Sequence, residues 1–99
     1  MQLKMSFGNK QRLSEMSKKN SKRNSKYEVI VFNDDMNTFD HVIDCLMEFC
    51  GHNYLQAVQC ATIIHNTGKC SVAIDTRDEC EYIFEELVKQ GLEADVIKQ

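Results

Sequence analysis

The run Tyr27-Glu28-Val29-Ile30-Val31-Phe32 is β-branched and aromatic, with unbroken apolar residues from Val29, which predicts a strand covered on at least one face. Turn-forming Asn33, Asp34 and Asp35 follow at once. The period then changes: Phe39, Val42, Ile43, Leu46, Met47 and Cys50 fall at helical spacing. Thr38 is placed to cap this helix, Asp40 lies in its first turn where a carboxylate favours the positive end of the dipole, and Gly51 is placed to end it. Asn53 with Gln56 forms a capping box for a second helix, with Leu55, Val58, Ala61, Thr62 and Ile64 on its apolar positions and Gly68 as its stop. Residues Cys70 to Ile74 are short and small enough for a central strand. Thr76 and Glu79 spell a second capping box, opening a third helix with Cys80, Ile83, Phe84, Leu87 and Val88 inward and Gly91 at its end. Finally Leu92, Ala94 and Val96 alternate with Glu93 and Asp95, as expected of a half-buried strand.

The order strand, helix, helix, strand, helix, strand predicts an α+β two-layer sandwich, with a three-stranded antiparallel sheet covered by three amphipathic helices. A chain of 99 residues has room for one such core. That core is expected over residues 27–99. Residues 1–26 differ in kind: the stretch from Gln11 to Lys26 offers too little apolar surface to offset its ordering, so it is expected to be a disordered extension.

Charge divides at the same place. Residues 1–26 hold eight Lys or Arg against one acid, a balance of +7, and residues 27–99 hold four bases against fourteen acids, a balance of −10. An acidic core argues against nucleic acid as its main partner, because phosphate binding needs Lys and Arg on the docking face. Five cysteines, Cys45, Cys50, Cys60, Cys70 and Cys80, are an odd number without a C-x-x-C pair, so neither a zinc site nor a disulfide framework is expected. Packed, reduced thiols in a cytoplasmic protein are the economical interpretation. No apolar run is long enough to span a membrane, and the N-terminus lacks a signal-peptide core, although its basic, Ser-bearing composition faintly resembles a transit peptide.

For chemistry, the junction after the first strand is the place to look. Asp34 and Asp35 could serve as acid and base, but adjacent residues on a turn usually point apart, and no Ser or Cys nucleophile with a positioned base is evident. His65 with Cys45 or Cys60 rests on spacing alone. Asp34, Asp35, Asp40 and His41 cluster in sequence, yet lack the Gly turn and terminal Glu of an EF-hand loop. No enzyme, metal or cofactor is therefore expected. From the residues alone, Asn33-Asp34-Asp35 reads as an Asx-type turn and His65 as a residue satisfying a helix end.

The pattern Tyr27-x-Val29-Ile30-Val31-x-Asn33-Asp34-Asp35-x-x-Thr38-Phe39-x-x-Val42, followed by Ile64-His65-Asn66-x-Gly68-Lys69, resembles the ClpS family of protease adaptors. The order of elements from Tyr27 onward matches that family's core. The resemblance implies an adaptor that captures proteins with a free, bulky hydrophobic N-terminal residue (an N-degron) and passes them to a Clp AAA+ unfoldase of the ClpA or ClpC type. On the matching positions, Asn33, Asp34 and His65 would hold the α-amino group, with Asp35 and Asn37 at the rim. Phe39, Val42, Ala61, Ile64 and Leu92 would line the hydrophobic pocket. Such a site suits its ligand physically, since a free N-terminus is a protonated amine beside a side chain that must be buried. The extension, residues 1–26, would help deliver cargo, and Asp78 and Glu81 would contribute to a chaperone-docking face, though acids near the start of a helix also have a dipole explanation. Four positions depart from the family pattern: Asn37-Thr38 stands for a common Thr-Pro, and Phe39 and Ala61 each stand for a methionine. A generic interaction domain of the same fold, indifferent to Asn33, Asp34 and His65, is the alternative.

Overall fold

A computed structural model describes residues 26–99. Its elements are β1 (Tyr27–Phe32), α1 (Phe39–Phe49), α2 (Tyr54–Thr67), β2 (Lys69–Asp75), α3 (Arg77–Lys89) and β3 (Glu93–Lys98). They form the expected α+β arrangement, a three-stranded antiparallel sheet with three helices. The strand order is β2-β1-β3, so β1 is central and β2 is an edge strand. This corrects the expectation of a central β2. The continuous apolar run Val29 to Phe32 marks the strand that is flanked on both sides, whereas β2 has only Val72 fully buried.

Local chemistry sets most of the boundaries. Thr38 caps α1 by accepting from the His41 N–H at 3.0 Å. Asn53 and Gln56 exchange both bonds of a capping box at the start of α2, at 2.8 and 3.2 Å. Gly68 ends α2 in a left-handed conformation (φ 102°), which costs a residue without Cβ little. The box expected at Thr76 is only half formed. Its hydroxyl accepts from the Glu79 N–H, but its own N–H donates to the Asp75 carboxylate at 2.7 Å, leaving Glu79 no reciprocal donor to reach.

The core gathers Val29 and Val31 from β1, Ile43, Cys45 and Leu46 from α1, Ala57, Ala61 and Ile64 from α2, and Cys80, Ile83 and Leu87 from α3, with Val72 and Leu92. α2 lies along β2, α3 lies along β1 and β3, and α1 bridges the two helices. Met47, Leu55, Thr62 and Val88, which the helical pattern places inward, are exposed, while Ala57 is fully buried. The apolar stripe of each helix is wider than the strip its neighbours cover. In α2 it is the small Ala57 and Ala61 that allow close approach.

All five cysteines are free thiols. Cys60 and Cys70 nevertheless meet across α2 and β2. Their proximity draws the Cys70 thiol below its ordinary range and, together with burial, pushes Cys60 above it. Burial also raises Cys50, to about 12. None of Cys45, Cys50 and Cys80 is thereby activated as a nucleophile.

A bulge interrupts the β1–β2 register: Val29 pairs with Ala73 and Ile30 with Ser71, so Val72 is the extra residue. A bulge removes one carbonyl from the ladder. Here the His52 Nε2–H donates to Val72 O at 2.8 Å, while His52 Nδ1 is buried without a partner. Burial lowers the His52 pKa from its ordinary 6.5, against the opposing effect of the Val72 bond. The unfolded chain therefore takes up a proton at this histidine before the folded one does, so stability should fall as pH drops through about 6.5. Chemical denaturation of the wild type at about pH 7.5 and pH 5.5 should show this loss, and His52→Gln should shrink it. An unchanged pH dependence in the variant would assign the effect elsewhere.

Candidate functional site

The junction after β1 is held by two interactions. The Asn33 N–H donates to Gly68 O at 2.9 Å, bringing the end of β1 against the end of α2. Asp34 then closes an Asx-type turn. Its Oδ1 accepts from the Met36 N–H at 2.8 Å and the Asn37 N–H at 2.9 Å, and the Asn37 side-chain amide reaches Oδ1 at 3.1 Å and Oδ2 at 2.8 Å. Burial tends to raise the Asp34 pKa, but the bonds from Asn37 and Met36 outweigh it and hold this carboxyl below its ordinary value of 3.8. The turn and the charge are thus one arrangement.

Around this turn is an open cleft of about 440 Å³, lined by Asn33, Asp34, Asp35, Asn37, Phe39, Val42, Ala61, Ile64 and His65. The volume lies within the range typical of small-ligand pockets. Its rim is polar and, among the described residues, carries no Lys or Arg; its wall is apolar. Phe39 stands at the mouth, 45% exposed, on the first turn of α1. Val42 follows one turn later, and Ala61, Ile64 and His65 come from α2, the first two buried and His65 exposed at the last turn. The spacing of Ala61, Ile64 and His65 by three and four residues places them along one face of α2.

Of the residues singled out from sequence, Leu92 alone among the amine, rim and pocket positions does not line the cleft. It is buried in the core and forms part of a recess of about 20 Å³ that shares Asn33, Asp34, Asn37, Val42 and Ile64 with it. Asp78 and Glu81 are elsewhere. Both are exposed near the start of α3, and Glu81 Oε2 accepts from Arg77 Nε at 3.1 Å. Because Tyr27 pairs with Asp75 and Phe32 with Lys69, α3 begins at the end of the sheet opposite the cleft. Residues 1–25, most of the basic extension, lie outside the described residues.

Sequence reasoning missed the contribution of the α3–β3 turn. Asn37 Nδ2 donates to Gly91 O at 3.0 Å, and His41 Nε2–H donates to Gln90 O at 2.9 Å. A helix C-terminus with unsatisfied carbonyls was the available signal. Since Gln90 O can only accept, the His41 proton is on Nε2, and the Cys45 sulfur 3.6 Å away has no base there. Among the described residues no group of three His, Cys, Asp or Glu is placed to hold a metal, and no helix is long and apolar enough to cross a membrane.

Fold and cleft together define a small α+β binding module with an acceptor-rich rim and an apolar wall. Residues 22–95 match the sequence model of the family described as ATP-dependent Clp protease adaptor protein ClpS. The chain is 36% identical over 67 residues to the ATP-dependent Clp protease adapter protein ClpS of Thermosynechococcus vestitus, covering 67% of this chain and 71% of that one. It is 34% identical to the ClpS adapter of Synechocystis sp. over the same length, covering 68% of that protein. Among solved structures, Agrobacterium tumefaciens ClpS2 bound to L-phenylalaninamide shares the fold with a TM-score of 0.74 at 20% identity, over 78% of this chain and 100% of that chain. This chain therefore belongs to the ClpS family of Clp protease adaptors, which are not enzymes.

Replacing Asp34 by Ala removes the acceptor for two backbone N–H groups and should cost about 1–2 kcal/mol of stability, as loss of a cap does. Asp34→Asn keeps one oxygen for those donors and should cost less. Urea denaturation of the two variants checks the order; equal stabilities would show that the turn does not depend on this side chain.

Proposed function

We propose that the cleft receives the first residue of a protein with a free, bulky hydrophobic N-terminus, which the chain then delivers to a cytoplasmic Clp AAA+ unfoldase. The observation that carries this reading is the convergence of Asn33, Asp34 and His65 at the rim with Phe39, Val42, Ala61 and Ile64 behind them, in one cleft of a ClpS adaptor. An α-ammonium group needs acceptors and a nearby negative charge. Asp34, its pKa lowered by the turn, supplies such a charge beside Asp35. Asn33 exposes its side-chain amide at the rim, and a neutral His65 can complete the set with one ring nitrogen as acceptor. The relative bound to L-phenylalaninamide carries a ligand of this kind, a free amine beside an aromatic side chain.

Magnitudes support a moderate affinity. Charge-assisted hydrogen bonds contribute roughly 1.5–3 kcal/mol each, and burying a Phe- or Leu-sized side chain contributes about 1.5–3 kcal/mol. Together they suit micromolar binding. Phe39 at the mouth and Ala61 in the wall redistribute space within the cleft, so the order of preference among first residues is a property of this chain. In this reading the basic extension and the exposed start of α3, with Asp78 and Glu81, serve contact with the unfoldase, away from the cargo site.

The competing account, a generic interaction domain, draws on the commitment of Asp34 Oδ1 to the turn. Fluorescence anisotropy decides between them, with peptides that differ only in beginning with Phe, Leu, Tyr, Trp, Ile, Val, Ala or acetylated Phe. Free Phe or Leu should bind and acetylated Phe should lose at least about tenfold, because acetylation removes the charge and donors together. Equal binding across the series would establish the generic domain. Replacing His65 by Ala should weaken binding of the free Phe peptide and change that of acetylated Phe much less, since the acceptor lost is one for the ammonium.

A further inference from the structure

We propose that Asn37 is a positioning residue that fixes which oxygen of Asp34 is offered to the ligand and ties that oxygen to the turn between α3 and β3. This inference rests on reading the cleft as a receptor for a free α-amino group. A side-chain amide has two N–H donors, and in Asn37 both are used: they reach Asp34, with Oδ2 at 2.8 Å and Oδ1 at 3.1 Å, and the carbonyl of Gly91 at 3.0 Å. The orientation of the amide is dictated by its surroundings. The Asp34 carboxylate and Gly91 O are acceptors only, so a flipped Asn37 would face both with its oxygen.

The consequence for Asp34 is asymmetric. Oδ1 receives the Met36 N–H, the Asn37 N–H and a share of the Asn37 amide, which exhausts its lone pairs. Oδ2 receives only the Asn37 amide. Oδ2 therefore keeps acceptor capacity, and it is the atom placed to meet an ammonium group. Without Asn37 the carboxylate would still hold the two backbone N–H groups, but Oδ2 would turn toward water.

The far end of the bridge gives this contact its reach. Gly91 adopts φ 92° just beyond the C-terminus of α3, where helix carbonyls lack intrahelical donors. Asn37 serves Gly91 O and His41 serves Gln90 O, so both ends of the segment from Asn37 to His41 are fastened to the same turn. The next residue, Leu92, is buried behind Val42 and Ile64 in the recess adjoining the cleft. Asn37 thereby sets the spacing between the charged rim and the apolar interior. A Ser or Thr at this position has one donor and can serve one of the two partners; an Asp has none and would repel both.

The test compares two ligands, a short peptide amide beginning with Phe and its desamino counterpart beginning with a 3-phenylpropionyl group. The ratio of their affinities isolates the contribution of the amine. In Asn37→Ala the wild-type ratio should fall by about tenfold through loss of affinity for the amine-bearing ligand, and Asn37→Leu, of similar shape but without donors, should lower the ratio as far. The Asp34 carboxyl resonance, followed through its titration by carbon-13 NMR, should move from below the ordinary carboxylate range toward it in Asn37→Ala, a shift that a merely structural role would not produce. If the wild type discriminates but both variants keep its ratio and the Asp34 titration is unmoved, Asn37 has no positioning role and the receptor reading stands. If the wild type does not discriminate between the two ligands, the receptor reading fails and this inference fails with it.

Discussion

The hydrogen bond from the Asn33 N–H to Gly68 O is the contact on which the arrangement of the cleft depends. It joins the last residue before the Asx turn to the residue that stops α2, two points 35 positions apart in the chain. Because Gly68 adopts a left-handed conformation, α2 ends abruptly and β2 starts at Lys69, antiparallel to β1. The acidic turn and the last turn of α2 then have to lie side by side. A side chain at Gly68 would meet no neighbouring atom, so its requirement for glycine is one of backbone conformation and not of space.

Economy at the turn follows from the same geometry. One carboxylate both closes the loop and, with Asp35, gives the rim its negative charge, and the bonds that close the loop also lower its pKa. Such double use ties binding to local stability. The charged rim is anchored to rigid structure on two sides, to α2 through Gly68 and to the α3–β3 turn through Asn37 and His41. A cleft held in this way can be offered to a ligand without being rebuilt, which limits the entropic cost of binding.

The long axis of α3 separates two regions of different character. Its C-terminal end abuts the cleft, and its N-terminal end, with exposed Asp78 and Glu81, lies at the opposite end of the sheet beside Asp75. Cargo and unfoldase contacts assigned to these regions would not compete for the same surface.

What the sequence determined by itself was whatever neighbours along the chain decide. The apolar run of β1, the caps at Thr38 and Asn53, the stop at Gly68 and the Asx turn at Asp34 all rest on contacts within about four residues, where side-chain chemistry and backbone propensity suffice. The family motif extended this to the site, since Asn33, Asp34, Ile64 and His65 were recognisable together while nothing in their local chemistry says that they meet. Only the tertiary structure decided which strand is central, which parts of each apolar stripe are covered, and that Val88 and Leu55 face water while Ala57 does not. It alone revealed the bulge at Val72 answered by His52, the meeting of Cys60 with Cys70, and the bond from Asn37 to Gly91. Each of these pairs groups that are far apart in the chain, and the donor or thiol in question has no preference for its partner until packing brings the two together.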